Sequence, residues 1–156
     1  MTLHKKGSIF WFFALFILLI VFFNLFVVRL AFVHGSSMEP NLANNSVVLV
    51  WQMLYHPKNG DIVVISSKTS LGVSAVKRIL ATEGQKLRIT NNQVYLNDRL
   101  LSEPYLLKND WKSEDINIYV PDGHVFVMGD NRDGSKDSRD IGCIPAYLII
   151  GKVFFN

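Results

Sequence analysis

From Gly7 to Val28 the chain carries no charged residue, and only Ser8 and Asn24 interrupt its aromatic and aliphatic side chains. About 20 such residues in helical form match a hydrocarbon core of about 30 Å, so the run predicts a single membrane-spanning helix. A secretory signal peptide is the competing reading. Its apolar region has only about 7 to 15 residues, however, and ends at a small-x-small cleavage pattern that does not follow here. The segment is therefore expected to stay as an anchor. Lys5 and Lys6 flank its N-terminal end, and Arg29 is the only Lys or Arg between Lys6 and Lys58. That bias places the N-terminus in the cytoplasm. The expected organisation is a cytoplasmic stretch 1–7, an anchor 8–30 and an extracytoplasmic domain 31–156.

With the anchor set aside, roughly 120 residues remain, enough for one compact domain. Short β-branched runs separated by turn residues predict a mostly β, antiparallel fold for it. Val47 to Trp51, Ile62 to Ser66 and Val73 to Leu80 read as strands. Leu87 to Thr90 and Gln93 to Leu96 read as a hairpin turning at Asn91-Asn92, and Ile116 to Val120 with His124 to Met128 as another around Pro121-Asp122-Gly123. Lys108 to Asp115 is too polar to assign. The formal charge is only +3 and its basic residues are spread along the chain, which excludes a nucleic-acid partner. The single cysteine, Cys143, rules out an internal disulfide, and no His/Cys pairing has metal-ligand spacing, so neither a metal nor a cofactor is expected.

Three stretches carry candidate chemistry. His34 to Leu42 sets Ser36 and Ser37 between Gly35, which frees the backbone, and Met38-Glu39-Pro40, which stiffens it. On the strand Val73 to Ala81, period-two alternation puts Val73, Ala75, Lys77, Ile79 and Ala81 on one face, and Ser74, Val76, Arg78 and Leu80 on the other. A lysine among small apolar neighbours either snorkels outward or is desolvated with a lowered pKa, and in the second case it can serve a serine hydroxyl as general base. Gly129 to Gly142 holds seven charged residues in fourteen. It is either a solvated loop or one cross-linked by its own ion pairs. Its acidic residues lack the spacing and distal Glu of a calcium loop.

Together, in this order behind one anchor, these stretches resemble the bacterial type I signal peptidases, membrane-bound serine/lysine endopeptidases. The family's Ser-Met-x-Pro-Thr-Leu box is matched by Ser37-Met38-Glu39-Pro40-Asn41-Leu42, its Gly-Asp-Ile-Val box by Gly60 to Val63, and its Lys-Arg box by Lys77-Arg78. Its Gly-Asp-Asn-Arg-x-x-Ser-x-Asp-Ser-Arg box runs from Gly129 to Arg139, complete and including Asp130. The resemblance implies a signal-peptidase-like antiparallel β catalytic domain without a large second β domain. It implies Ser37 as nucleophile and oxyanion donor through its backbone N–H, Lys77 as general base, Ser135 orienting the amine, and Asp137 with Arg139 holding the loop. It also implies a substrate bound as an added strand, with Met38, Val76 and Val33 as candidate pocket residues, and signal peptides and the lipid bilayer as partners.

The chain departs from the pattern in three places. Many members carry a second serine donor two positions before the nucleophile, where this chain has Gly35; Ser36, a backbone amide or water could take that place. Asn41 stands for threonine, and the Val-Ile-Gly-Leu-Pro-Gly-Asp continuation after Lys-Arg is Ile79 to Gln85 here. A binding-only assembly factor and a processing protease dedicated to a pilus or conjugation substrate are the other readings.

Overall fold

The computed structural model describes residues 3–107 and 111–155. Helix α1 takes Leu3–Phe26, and strand β1 (Val28–Phe32) starts two residues later. The helix stops short of the boundary expected at residue 30 because Val28 to Phe32 pair antiparallel with β2 (Val47–Trp51), Val28 opposite Trp51 and Phe32 opposite Val47. Within α1 side chains are described from residue 9 to 22, roughly 21 Å of helix, and among the described residues no helix is long and apolar enough to cross a membrane.

The chain continues as β3 (Ile62–Ile65), β4 (Ala75–Thr82), β5 (Lys86–Thr90), β6 (Gln93–Leu96), β7 (Arg99–Leu100), β8 (Ile116–Tyr119) and β9 (His124–Met128). A one-turn helix α2 (Ser138–Ile141), β10 (Ile144–Pro145) and β11 (Ile149–Phe155) complete it. Among the described residues two antiparallel sheets result, one of seven strands in the order β1-β2-β11-β3-β4-β9-β10 and one of four in the order β7-β6-β5-β8. Asn91 and Asn92 both have positive φ, as the expected two-residue hairpin turn requires. Asn97 and Asp98 repeat that geometry between β6 and β7.

The expected hairpin of Ile116 to Val120 with His124 to Met128 does not form. β8 pairs with β5 in the small sheet, whereas β9 pairs with β4 and β10 in the large one. Burial explains the split: Val125 to Met128 are buried on both faces and need an interior position, while β8 alternates between half-buried and exposed, as an outer strand can. Of the unassigned Lys108 to Asp115 segment, 108–110 lie outside the described residues, and Trp111 is buried in the core between the sheets with Leu80, Leu87, Phe126 and Met128.

Strand β4 also differs from its expected form. Val73 lies in a bend before it and is exposed, so it shares no strand face with Lys77. Between Ile79 and Ala81 the register against β9 slips by one residue. This bulge sends Ala81 into the inter-sheet core beside Leu80, while Ile79 stays with Val63, Ile65 and Val127.

Candidate active site

The Gly60 to Val63 stretch sets the position of Lys77. Gly60 N–H donates to Ile79 O at 2.8 Å, Ile79 N–H to Asp61 O at 2.9 Å, and Val63 lies opposite Lys77 in the ladder. Asp61 is itself held by the Tyr55 hydroxyl at 2.8 Å and Lys152 Nζ at 2.6 Å. Between these strands Lys77 is 3% exposed. Burial pushes its amine below the ordinary lysine range, and the nearby Asp137 and Arg139 act in opposite senses and do not reverse it.

Ser135 and Asp137 orient the amine. Lys77 Nζ donates to Ser135 Oγ at 2.9 Å, and Ser135 Oγ donates to Asp137 Oδ2 at 2.7 Å. An ionised carboxylate only accepts, so the Ser135 proton is committed to Asp137 and its lone pair faces the lysine. Asp137 is fully buried. It accepts from Arg139 Nε and Nη2, both at 2.9 Å, and from the Gly129 N–H at 2.9 Å. Burial alone would raise its pKa; the Arg139 hydrogen bonds and charge outweigh that, and the carboxyl sits below its ordinary range. Asp137 also caps α2 in a capping box with Asp140.

Ser37 is half-buried in a turn joining β1 to β2. Its carbonyl accepts from the Asn131 N–H at 3.0 Å, which docks the turn on the same loop that holds Ser135. Among the described residues nothing accepts from the Ser37 N–H, and its hydroxyl makes no hydrogen bond to Lys77. Gly129 is the joint between the two serines. A Cβ there would lie 2.5 Å from Ser37 O and closer still to Ser135 Oγ. Gly129→Ala is therefore expected to push the Ser37 turn off the Ser135 loop and lower stability by about 1–3 kcal/mol, read by thermal melting.

The remaining box residues brace this assembly. Arg78 binds Asp130 bidentately at 2.8 and 2.7 Å, donates to Gly60 O at 2.8 Å and lies over the Tyr105 ring. Asn41 Nδ2 donates both to Asp130 Oδ2 at 2.9 Å and to Tyr105 O at 2.8 Å, a double contact suited to an amide NH₂. Sequence reasoning assigned nothing to Asn131, Glu103 or Trp111. Glu103 pairs with the buried Arg132, whose guanidinium stacks on Trp111. The stretch that supplies Glu103 and Trp111 contains no motif, and only the complete last box marked its partner.

A cavity of about 360 Å³ opens beside β1, walled by Ala31, Phe32, Ser74, Ala75, Val76 and Ile150 among others. β1 is the outer strand of its sheet, and Ala75 and Val76 pair only with β3, since the β9 ladder begins at Arg78. Both strands thus offer unpaired backbone to the cavity. Of the three expected pocket residues, Val76 lines it. Met38 and Val33 are buried in one hydrophobic cluster with Val50 and Val64, against which Ala31 and Val76 pack.

A family profile described as signal peptidase, peptidase S26, matches residues 7–156. The chain is similar to signal peptidase I U of Bacillus subtilis (strain 168), 38% identical over 159 residues, covering 89% of this chain and 82% of the relative. It is likewise similar to signal peptidase I of Bacillus licheniformis, 33% identical, covering 97% and 91%. Its fold is similar to the crystal structure of a signal peptidase I from Enterococcus faecalis V583, with a TM-score of 0.57 at 28% identity, covering 64% of this chain and 98% of that one.

Proposed function

The chain belongs to the signal peptidase family, peptidase S26, and from that premise we propose that it cleaves signal peptides from exported proteins with Ser37 as nucleophile and Lys77 as general base. The observation that carries this reading is a lysine amine buried on an apolar strand face and hydrogen-bonded to Ser135. Held neutral, it has one lone pair and need spend only one N–H on Ser135, which leaves the lone pair for the Ser37 hydroxyl once substrate closes the gap. Ser37 Oγ attacks the scissile carbonyl while Lys77 takes its proton. The Ser37 N–H stabilises the oxyanion, and Lys77 returns the proton to the departing amine. Water, deprotonated by the same amine, then hydrolyses the acyl-enzyme.

The unpaired edges of β1 and of Ala75-Val76 suit a substrate added as a strand, with the Val76 wall accepting small side chains at the first and third positions before the cut. The apolar run from Gly7 to Val28 supports a membrane anchor with its N-terminus in the cytoplasm. Leu30 and Phe32, 57% and 69% exposed on β1 directly after α1, continue an apolar surface suited to the outer leaflet. A binding-only assembly role is disfavoured by the cost of a buried lysine, which brings a scaffold nothing.

Purified full-length protein in detergent is expected to cut a peptide after Ala-x-Ala, with the Ser37→Ala protein inactive under the same conditions. Cleavage by Ser37→Ala at a rate near wild type would refute the assignment. Rescue of a conditional signal-peptidase strain by both proteins would instead favour the binding role.

A further inference from the structure

The dyad leaves Asn131 without a task, yet it touches the nucleophile turn twice. Its backbone N–H donates to Ser37 O at 3.0 Å, and its side-chain Nδ2 donates to Ser36 O at 3.2 Å. These two carbonyls bracket Ser37. The Ser36 carbonyl shares a rigid planar trans peptide with the Ser37 N–H, so whatever holds that oxygen aims the N–H in the opposite direction. The Glu39 N–H adds a second bond to the same oxygen at 3.1 Å. Hydrogen bonds to a peptide carbonyl also polarise its N–H and make it a stronger donor.

Asn131 is itself held for this purpose. Its Oδ1 accepts from the Gly134 N–H at 3.3 Å, which assigns the amide orientation and leaves Nδ2 for Ser36. A Cβ at Gly134 would come within 2.7 Å of that Nδ2, so any side chain there must push the amide aside. Gly35 meanwhile offers no side-chain donor to the oxyanion, which raises the demand on the Ser37 N–H.

We propose that Asn131 is a positioning residue of the oxyanion site, clamping the Ser36–Ser37 peptide so that its N–H meets the charge developing on the scissile carbonyl. The assignment rests on the reading of Ser37 as nucleophile. Full-length Asn131→Asp keeps the size and the acceptor for Gly134 but cannot donate; Asn131→Ala removes both. Each is expected to lower kcat about 10- to 100-fold with KM for an Ala-x-Ala peptide within about threefold of wild type. Affinity for the matching peptide aldehyde, whose hemiacetal with Ser37 presents an oxyanion, should fall by the same factor as kcat. The acidic limb of the pH–rate profile should not move in Asn131→Ala, which adds no charge near Lys77, whereas the new carboxylate of Asn131→Asp raises the Lys77 pKa as the neighbouring aspartates do. Unchanged kcat, a loss confined to KM, or a shifted limb in Asn131→Ala would each overturn the proposal. Should both variants fail to fold, Gly134→Ala, which crowds the amide without removing it, decides by the same criteria. A wild-type protein that cleaves no peptide would overturn this assignment together with the reading of Ser37. An active wild type with indifferent Asn131 variants would overturn this assignment alone.

Discussion

Lys77→Met is expected to abolish peptide cleavage, at least about 10⁴-fold in kcat, while leaving a folded protein whose melting temperature at pH 7 is equal to or above that of wild type. The first half follows from chemistry: methionine fills the same space without a basic lone pair, and the proposed Ser37 nucleophile is left with no base for its proton. The second follows from burial. An amine 3% exposed, whose charged form is disfavoured by desolvation, costs stability that an isosteric apolar side chain does not. The two halves together separate catalysis from structure, because a merely structural lysine would lower both activity and stability when removed. The double variant Ser37→Ala/Lys77→Met should be no slower than either single variant, since the pair acts as one unit.

The same amine sets the pH profile. As the proposed general base, Lys77 acts in its neutral form, so kcat/KM should rise with pH through the Lys77 pKa and level off above it, with the midpoint below the ordinary lysine value of about 10.4. Stability should move the same way. The folded-state pKa is depressed, the unfolded chain binds the extra proton, and stability from this group grows as pH rises between the two values. A midpoint at the free-lysine value would contradict the desolvated base.

What the sequence made legible was local and periodic. The face carrying Ala75, Lys77 and Ile79 followed from alternation, and the hairpin at Asn91-Asn92 from its turn residues; both are present. Alternation failed where the backbone broke its own rule. The bulge at Leu80 sent Ala81 to the opposite side, and nothing in Ile79 to Thr82 announces a bulge. Sheet membership was illegible for a related reason: Pro121-Asp122-Gly123 encodes a reversal, but not whether the strands leaving it stay together. β9 was drawn away by burial on both its faces, a property of the assembled layers. In the site, the motif residues Ser135, Asp137, Arg139 and Asp130 could be named from resemblance. Asn41 looked like a departure, yet its amide bridges Asp130 and Tyr105, and that bridge depends on a chain segment more than 60 residues away.

Asp137→Ala should be the most disruptive single substitution for fold and activity together. The carboxylate is fully buried and accepts from Arg139, the Gly129 N–H and the Ser135 hydroxyl. Its removal leaves a guanidinium unpaired in the interior, a backbone N–H orphaned and α2 without its cap. Breaking a buried pair costs about 3–5 kcal/mol and losing the cap about 1 more, against a total of about 5–15 for a whole domain. A drop in melting temperature on the order of 10 °C follows. Below that temperature the folded fraction should still be slow, because Ser135, freed from its acceptor, no longer turns its lone pair toward Lys77. Asp137→Asn, which keeps shape and one acceptor, should fall between. The pH dependence has a definite sign. Burial raises the Asp137 pKa, Arg139 more than reverses this, and the folded-state value lies below the ordinary carboxyl range. Its stabilisation is therefore present above about pH 4 and lost as pH falls through the folded-state value. Denaturant melts should accordingly show the gap between wild type and Asp137→Asn narrowing between neutral pH and about pH 3. A gap of constant size across that range would mean that the carboxylate's charge does not hold this loop in place.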